Sequence, residues 1–587
     1  MRRLKGATAI LALLAAPAIH ACQDDSTRRD EDIDPRPSPG DALAVTRLFP
    51  TAENPGVERS DCTLASPLAW EEEGRTSIVV AEGAGTVSAY DAETGKERWS
   101  VALPASEGEK AYAVATPAIV AGAKLLVVGY HTTTAGEGRL VSDVRLRHRV
   151  AVIDLAAHRI DPRFAPVDLS ATISGHGGDV PFRAAHAIGR GAIVVGRRPA
   201  DTFGRAYVTF GNVRDIQPWH GWIFELDLDA WSAGGAAVSA TRVTTPESDC
   251  GPEGASGSRE RRCGGGLWAP SGPLVRARGD DYELVLPAGN GQLDLARGDY
   301  ANTLMRTTRG LPFDPSCDPA LCAGIDPANP TEACVASCRD LFVPRIPAGD
   351  PPFSPASGVC DDRQPFFDCW ARLDYVGGST PALVRLPSGR EVLVLAPKDG
   401  HAYVVDADHL GTLLDRRKLV ENCGTREDRC RADWAGMAVT QPEVLDTPEG
   451  PLVFVPTFMF DRTHAAGIVA LRVRERDGGV KLEQAWTFPS FDGDDAVRLF
   501  RQHPTRPRLV REGPRGQPML VVGEIIDGQS GILWTLRATD GALLARTPLA
   551  GAGMRFAQPL AVADKIYLPS CATAKGPGTI EGYRLGP

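Results

Sequence analysis

The chain has 587 residues with 64 basic and 74 acidic side chains, 62 glycines and 47 prolines, and 43% hydrophobic residues. That is a globular composition rich in turns, neither disordered nor collagen-like. The acidic balance excludes a general nucleic-acid binder, which needs a basic face.

Arg2, Arg3 and Lys5 precede an apolar run from Gly6 to Ala18, the layout of an export signal and too short to span a bilayer. Ile19-His20-Ala21-Cys22 stands where a bacterial lipobox would, although His20 is unusual there. Residues 1–21 are therefore expected to be a signal peptide and Cys22 a lipid-bearing anchor; the alternative is ordinary cleavage with Cys22 an idle thiol. Residues 22–41, rich in acids, arginine and proline, are expected to be a disordered tether. No later run is apolar enough for a membrane helix, so membrane association is expected through the lipid alone. The expected location is the outer membrane, facing the periplasm or the cell surface.

From Thr63 onward, short β-type runs alternate with Gly, Asp and Pro. A unit recurs: a polar or small residue, a proline, then a hydrophobic run. Ser66-Pro67, Thr116-Pro117, Gly272-Pro273, Thr380-Pro381, Gln441-Pro442, Arg506-Pro507 and Gln558-Pro559 fit it, and Ala184 to Ile188 fits without the proline. Proline at the first residue of a strand breaks no interior ladder bond. A second apolar run follows each start (Ala192 to Gly196 in the third unit), and a third often ends in an acidic turn. Four short strands per unit, repeated, predict an all-β propeller over residues 42–587. Eight blades are expected, with seven as the alternative because the third start lacks its proline. After Pro559 only three strand-like runs remain, Leu560 to Ala563, Lys565 to Pro569 and Thr579 to Leu585. The fourth strand is expected from Ala42 to Phe49, closing the ring.

Setting Cys22 aside, twelve cysteines remain, an even number suited to disulfides in an exported chain. Cys250–Cys263, Cys360–Cys369 and Cys423–Cys430 are the nearest pairs; Cys317, Cys322, Cys334 and Cys338 are expected to pair among themselves, and Cys62–Cys571 to staple the closure. Phe313 to Trp370, dense in cysteine and proline, is expected to be a knotted insertion (residues 313–370) within the propeller. Spacings of CxxxxC and CxxxC argue against zinc, and the absence of CxxCH excludes covalent haem.

Ala89-Tyr90-Asp91-Ala92-Glu93-Thr94-Gly95-Lys96-Glu97-Arg98-Trp99 resembles the repeat of pyrroloquinoline-quinone (PQQ) propellers: Asp91 and Gly95 form a tight turn, and Trp99 is a plate for packing between blades. Lys398 to Asp406 and, more weakly, Leu536 to Leu544 are similar. Trp219-His220-Gly221-Trp222, Gly264-Gly265-Gly266-Leu267-Trp268, Gly289-Asn290-Gly291 and Gly298-Asp299-Tyr300 follow in an order that resembles bacterial PQQ-like propeller proteins. That superfamily holds both PQQ-dependent dehydrogenases and non-catalytic scaffolds, so fold alone does not decide between them.

A dehydrogenase of this kind would need an aromatic floor, a calcium ion, cations for the PQQ carboxylates and an aspartate base. Trp268 as floor, Asn290 as calcium ligand and Lys398 (with Asp399) as anion partner are the cofactor candidates. Each has a plainer reading: interblade packing for Trp268, a left-handed turn for Asn290, a solvated turn for Lys398. His186, His220 and His401 could line a channel or be loop histidines, and Phe491-Asp492-Gly493-Asp494-Asp495 lacks EF-hand spacing. There is no Cys-Cys dipeptide, ordered calcium set or other catalytic motif, so no catalytic or metal residue is assigned. The expectation is a binding or scaffolding propeller taking a protein or small-molecule ligand on one face, with no nucleic acid. The alternative is a PQQ- and calcium-dependent dehydrogenase acting on an alcohol or sugar.

Overall fold

The computed structural model describes residues 37–587, apart from 39, 57–64, 135–144, 213–215, 251–262, 345–375, 399, 420–440, 458–466, 477, 489–503, 525–530, 554–555, 572–577 and 587. The signal and lipobox, most of the tether, Cys62, Cys360, Cys369, Cys423, Cys430 and the Asp492 turn lie outside the described residues.

Eight antiparallel sheets of at least four strands form the eight blades of a β-propeller. Blade 1 is the simplest, with Leu68–Glu72, Arg75–Ala81, Thr86–Asp91 and Glu97–Ala102 in sequential order from the innermost strand outward. The blades that follow have innermost strands at Ala118–Val120, Val194–Gly196, Leu274–Arg278, Ala382–Arg385, Glu443–Leu445, Arg508–Val510 and Leu560–Val562. Seven of the eight begin directly after the proline of the repeated unit, where a missing N–H costs no ladder bond.

Blade 3 is the exception in register. The run Ala192 to Gly196, read from sequence as a second strand, supplies the innermost strand; the second strand is Arg205–Asn212. Blades 2, 3 and 8 split the innermost position into two short pieces against one long neighbour, Lys110–Tyr112 and Ala118–Val120 in blade 2, for example. In blade 3 the earlier piece, Ala187–Ile188, carries the resemblance to a start that the sequence displayed.

Ring closure is made by the N-terminus. Val45–Phe49 pairs antiparallel with Gly578–Leu585, with Val45 opposite Leu585 and Phe49 opposite Gly582, and completes blade 8. The chain leading into it is fastened too: Leu43 N–H donates to the Leu544 carbonyl (2.9 Å), and Arg537 bonds the Asp41 carboxylate.

Outer turns are locked by aromatic plates from the preceding blade. In blade 1, Asp91 Oδ1 accepts from the Glu93 and Thr94 amides, and Gly95 N–H closes the turn on the Asp91 carbonyl. Gly95 has φ +66°, and a Cβ there would lie 2.6 Å from the ring of Phe49, the plate from blade 8. Trp99 repeats the contact one blade on, stacking at 5.0 Å on His158 of blade 2. Trp486 of blade 6 covers Gly541 of blade 7, whose added Cβ would lie 2.5 Å from the indole.

The cysteine-rich insertion leaves between the third and fourth strands of blade 4, Leu304–Thr308 and Leu341–Phe342. Two short helices, Pro319–Cys322 and Glu332–Ala336, are clamped by disulfides Cys317–Cys338 and Cys322–Cys334. Phe342 therefore belongs to the blade itself, although it falls within the segment that reads as insertion. Cys250–Cys263 forms a further disulfide, and Cys571 is disulfide-bonded.

Candidate functional site

All innermost strands start on one face, here the upper face. The residue ahead of each starting proline bonds to a neighbouring blade, so the repeated unit builds a belt around the axis. Ser66 N–H donates to Thr116 Oγ1 (2.8 Å), Ile193 N–H to the Thr116 carbonyl (2.9 Å), and Ala192 N–H to the Pro270 carbonyl (2.9 Å). Thr380 Oγ1 donates to the Gly272 carbonyl (2.7 Å) and Gln441 Nε2 to the Pro381 carbonyl (3.0 Å). Arg506 lies 3.7 Å from Glu443, Gln558 Nε2 donates to the Pro507 carbonyl (2.9 Å) and to Glu443, and Gln558 N–H returns to Ser66 Oγ (2.8 Å). A polar residue before the proline can satisfy a neighbour's backbone where proline leaves one donor fewer.

Above the belt, blades 3 and 4 contribute three interlocked loops. Gly221 N–H donates to the Gly264 carbonyl (2.9 Å), Gly265 N–H to the Asn290 carbonyl (2.6 Å), and Gly289 N–H to the Gly266 carbonyl (2.9 Å). The glycines are required by proximity: a Cβ on Gly264, at φ +89°, would lie 2.2 Å from the Asn290 oxygen. Thr244 and Thr245 hydroxyls bond the Gly265 and Gly264 carbonyls. Asn290 is buried here, its backbone carbonyl tying two loops together.

This framework holds Trp268 near the axis. The Arg190 guanidinium stacks 4.3 Å from the Trp268 ring centroid and 4.6 Å from that of Phe556, and Lys398 Nζ lies 4.8 Å from the same indole. Each such contact contributes about 0.5–2 kcal/mol. Sequence reasoning singled out Trp268 and Lys398, which the structure brings together; it missed Arg190 and Phe556. Arg190 lies in the unit without a proline, and Phe556 stands two residues ahead of Gln558-Pro559, so both had a place in the repeat but no motif.

The residues do not fit a calcium-bound quinone. Trp268 is only 8% exposed, with Arg190 in the stacking position that a tricyclic ring would take and Gly377 pressed against its Nε1 edge. Among the described residues, the grouping of possible metal donors is His220, Cys250 and Cys263, whose sulfurs are joined to each other and so are not thiolate ligands.

The histidines singled out in the sequence sit in loops and at strand starts. His220 Nδ1 is 2.7 Å from the Thr245 carbonyl, and burial lowers its pKa to about 4. His186 Nδ1 lies 3.1 Å from the Pro218 carbonyl, while His401 is buried at the start of the third strand of blade 5, His401–Asp406. Two more, opposite each other in blade 2, had no sequence signal: burial lowers His131 to about 3 and His148 to about 4. Asp299 is pushed up to about 7 by burial.

Within the belt, an axial cavity of about 440 Å³ is bounded by the starting residues of several blades, including Ser66, Thr116, Ser271, Arg506, Arg508 and Gln558.

Comparison with known proteins bears on the fold. Residues 59–144 match the family model described as outer membrane protein assembly factor BamB. A europium-containing methanol dehydrogenase is 12% identical, with 92% of this chain and 93% of that one covered and a TM-score of 0.50. The quinohemoprotein alcohol dehydrogenase ADHIIG of Pseudomonas putida HK5 is 14% identical over 90% of this chain and 75% of that one, TM-score 0.47. BamB from Moraxella catarrhalis is 12% identical over 92% and 99%, TM-score 0.42. No curated protein matches the chain. These likenesses bear out the β-propeller fold, and over residues 59–144 the chain is similar to a PQQ-type repeat family.

Proposed function

We propose that this chain is a binding or scaffolding propeller without turnover, exported and held at the outer membrane through a lipid on Cys22, facing the periplasm or the cell surface. Its working region is the upper face, where a protein or small-molecule ligand docks. One observation carries the non-catalytic reading: Trp268, the aromatic the sequence offers as a quinone floor, has the Arg190 guanidinium packed on its ring, with Phe556 also against that guanidinium. Rigid loops over a fixed scaffold suit recognition. Reconstitution with PQQ and calcium, followed by dye reduction over alcohols and aldoses, tests it: no saturable cofactor binding and no turnover are expected, and turnover would overturn the reading. For the anchor, Cys22→Ser is expected to move the chain from the membrane fraction to the soluble fraction; unchanged fractionation would reject the lipid.

A further inference from the structure

The axial cavity has an unbalanced lining. Arg506 and Arg508 both face it, and the nearby carboxylate, Glu443, is already bonded by Gln558 and lies 3.7 Å from Arg506. Arg508 makes no ion pair among the described residues. Its Nε, the Nε of Arg506 and the Ser271 hydroxyl are buried without hydrogen-bond partners. Unsatisfied donors of this kind are costly, and two neighbouring guanidinium groups raise the cost further. The lining also carries an apolar set, Pro117, Ile119, Leu560 and Phe556, the last two from blade 8 beside the arginines. A volume of about 440 Å³ lies within the range of small-molecule sites.

We infer that this cavity is a binding site for a small organic anion, its carboxylate or phosphate held by Arg506, Arg508 and Ser271 and its apolar body lying against Ile119, Leu560 and Phe556. Guanidinium groups suit both anions because their parallel N–H donors match two oxygens at once. Because the lining comes from the starts of blades 1, 2, 3, 7 and 8 and from the lead into blade 4, an occupant would touch most of the ring and strengthen the belt. The inference deepens the proposal that this is a binding propeller by naming the ligand class.

The test is calorimetric titration and thermal melting of the mature chain at low ionic strength with succinate, benzoate and phenyl phosphate. At least one is expected to bind saturably and raise the melting temperature. Binding by the carboxylates alone or by phenyl phosphate alone assigns the group recognised. Arg508→Gln is expected to weaken binding roughly tenfold or more, the loss of a charge-assisted pair. Arg508→Lys keeps the charge without the fork and is expected to fall between, which covers the case that the first variant does not fold. Arg385→Gln, on a side chain 74% exposed, is the control and should bind as the parent does. No saturable binding by any probe, or equal binding in Arg508→Gln, would overturn the site. Turnover with PQQ would defeat the non-catalytic reading while leaving this result standing, so the two failures are distinguishable.

Discussion

The rim and the axis of this ring are built on different principles. At the rim the same contact recurs: an aromatic on an outermost strand covers the tight turn of the next blade, as Phe49 covers Gly95, Trp99 covers His158 and Trp486 covers Gly541. At the axis the pre-proline position recurs, but its bonding partner changes from blade to blade. Ser66 bonds Thr116, Thr380 bonds Gly272, and Gln558 reaches both Pro507 and Glu443. Repetition suffices where every blade sees an equivalent neighbour. Where all converge, the partner differs from blade to blade and some donors, those of Arg508 and Ser271 among them, are left over, and that is where binding chemistry can collect.

This contrast can be broken or sharpened by substitution. The largest effect is expected from Gly264→Val, which puts a branched side chain at φ +89° against the Asn290 carbonyl; urea unfolding should show a loss of about 4 kcal/mol or more, or no folded protein. A variant of parental stability would show that the loops of blades 3 and 4 are not interlocked. At the rim, Trp99→Ala is expected to cost about 3 kcal/mol by the same measurement while leaving anion binding at the axis unchanged. Coupled loss of both would dissolve the distinction between the regions.

A third expectation concerns acid. The unfolded imidazoles of His131, His148 and His220 take up protons near pH 6.5, but the folded ones stay neutral to about 3, 4 and 4. Their contribution is complete above pH 6.5 and is lost as pH falls from there toward 4. Asp299 works in the other direction, since its folded pKa of about 7 favours proton uptake by the folded chain between about pH 7 and 4. Three groups against one predict a net fall of on the order of a few kcal/mol, read as a lower urea midpoint at about pH 4.5 than at about pH 7.5. His148→Phe should flatten the dependence; an unaltered slope would remove the pair from this role. Smallest is the belt itself: Thr116→Val removes the acceptor of the Ser66 amide and is expected to cost about 1–2 kcal/mol.

The ring was legible in the sequence because its strand starts carry a chemical mark. Seven of eight blades keep the proline, six of them with a polar residue before it and blade 4 with Gly272. Blade 3 lost the proline, and there the assignment slipped by a strand. Only Asp91 to Trp99 reads as a full rim repeat, because the plate can be Phe or Trp and the turn residue Gly or His. At the axis, Trp268 and Lys398 stood out through the glycine-rich motifs beside them. Arg190, Phe556, Arg506 and Arg508 did not, since convergence from separate blades leaves no spacing to recognise. The paired histidines of blade 2 were hidden for a related reason: His131 and His148 are neighbours only through strand register.

The shared final sheet has a consequence for how the molecule comes into being. Val45–Phe49 precedes, and Gly578–Leu585 follows, the seven other blades along the chain, so blade 8 must wait for all of them to be synthesised. Until then one strand of it has no partner, and the turn at Gly95 waits for Phe49 to be set in place. Contacts this distant along a chain form slowly. A chain synthesised only part of the way to Gly578 is therefore an open arc, and the axial cavity, lined by blades 1 and 2 as well as 7 and 8, is complete only once the ring closes.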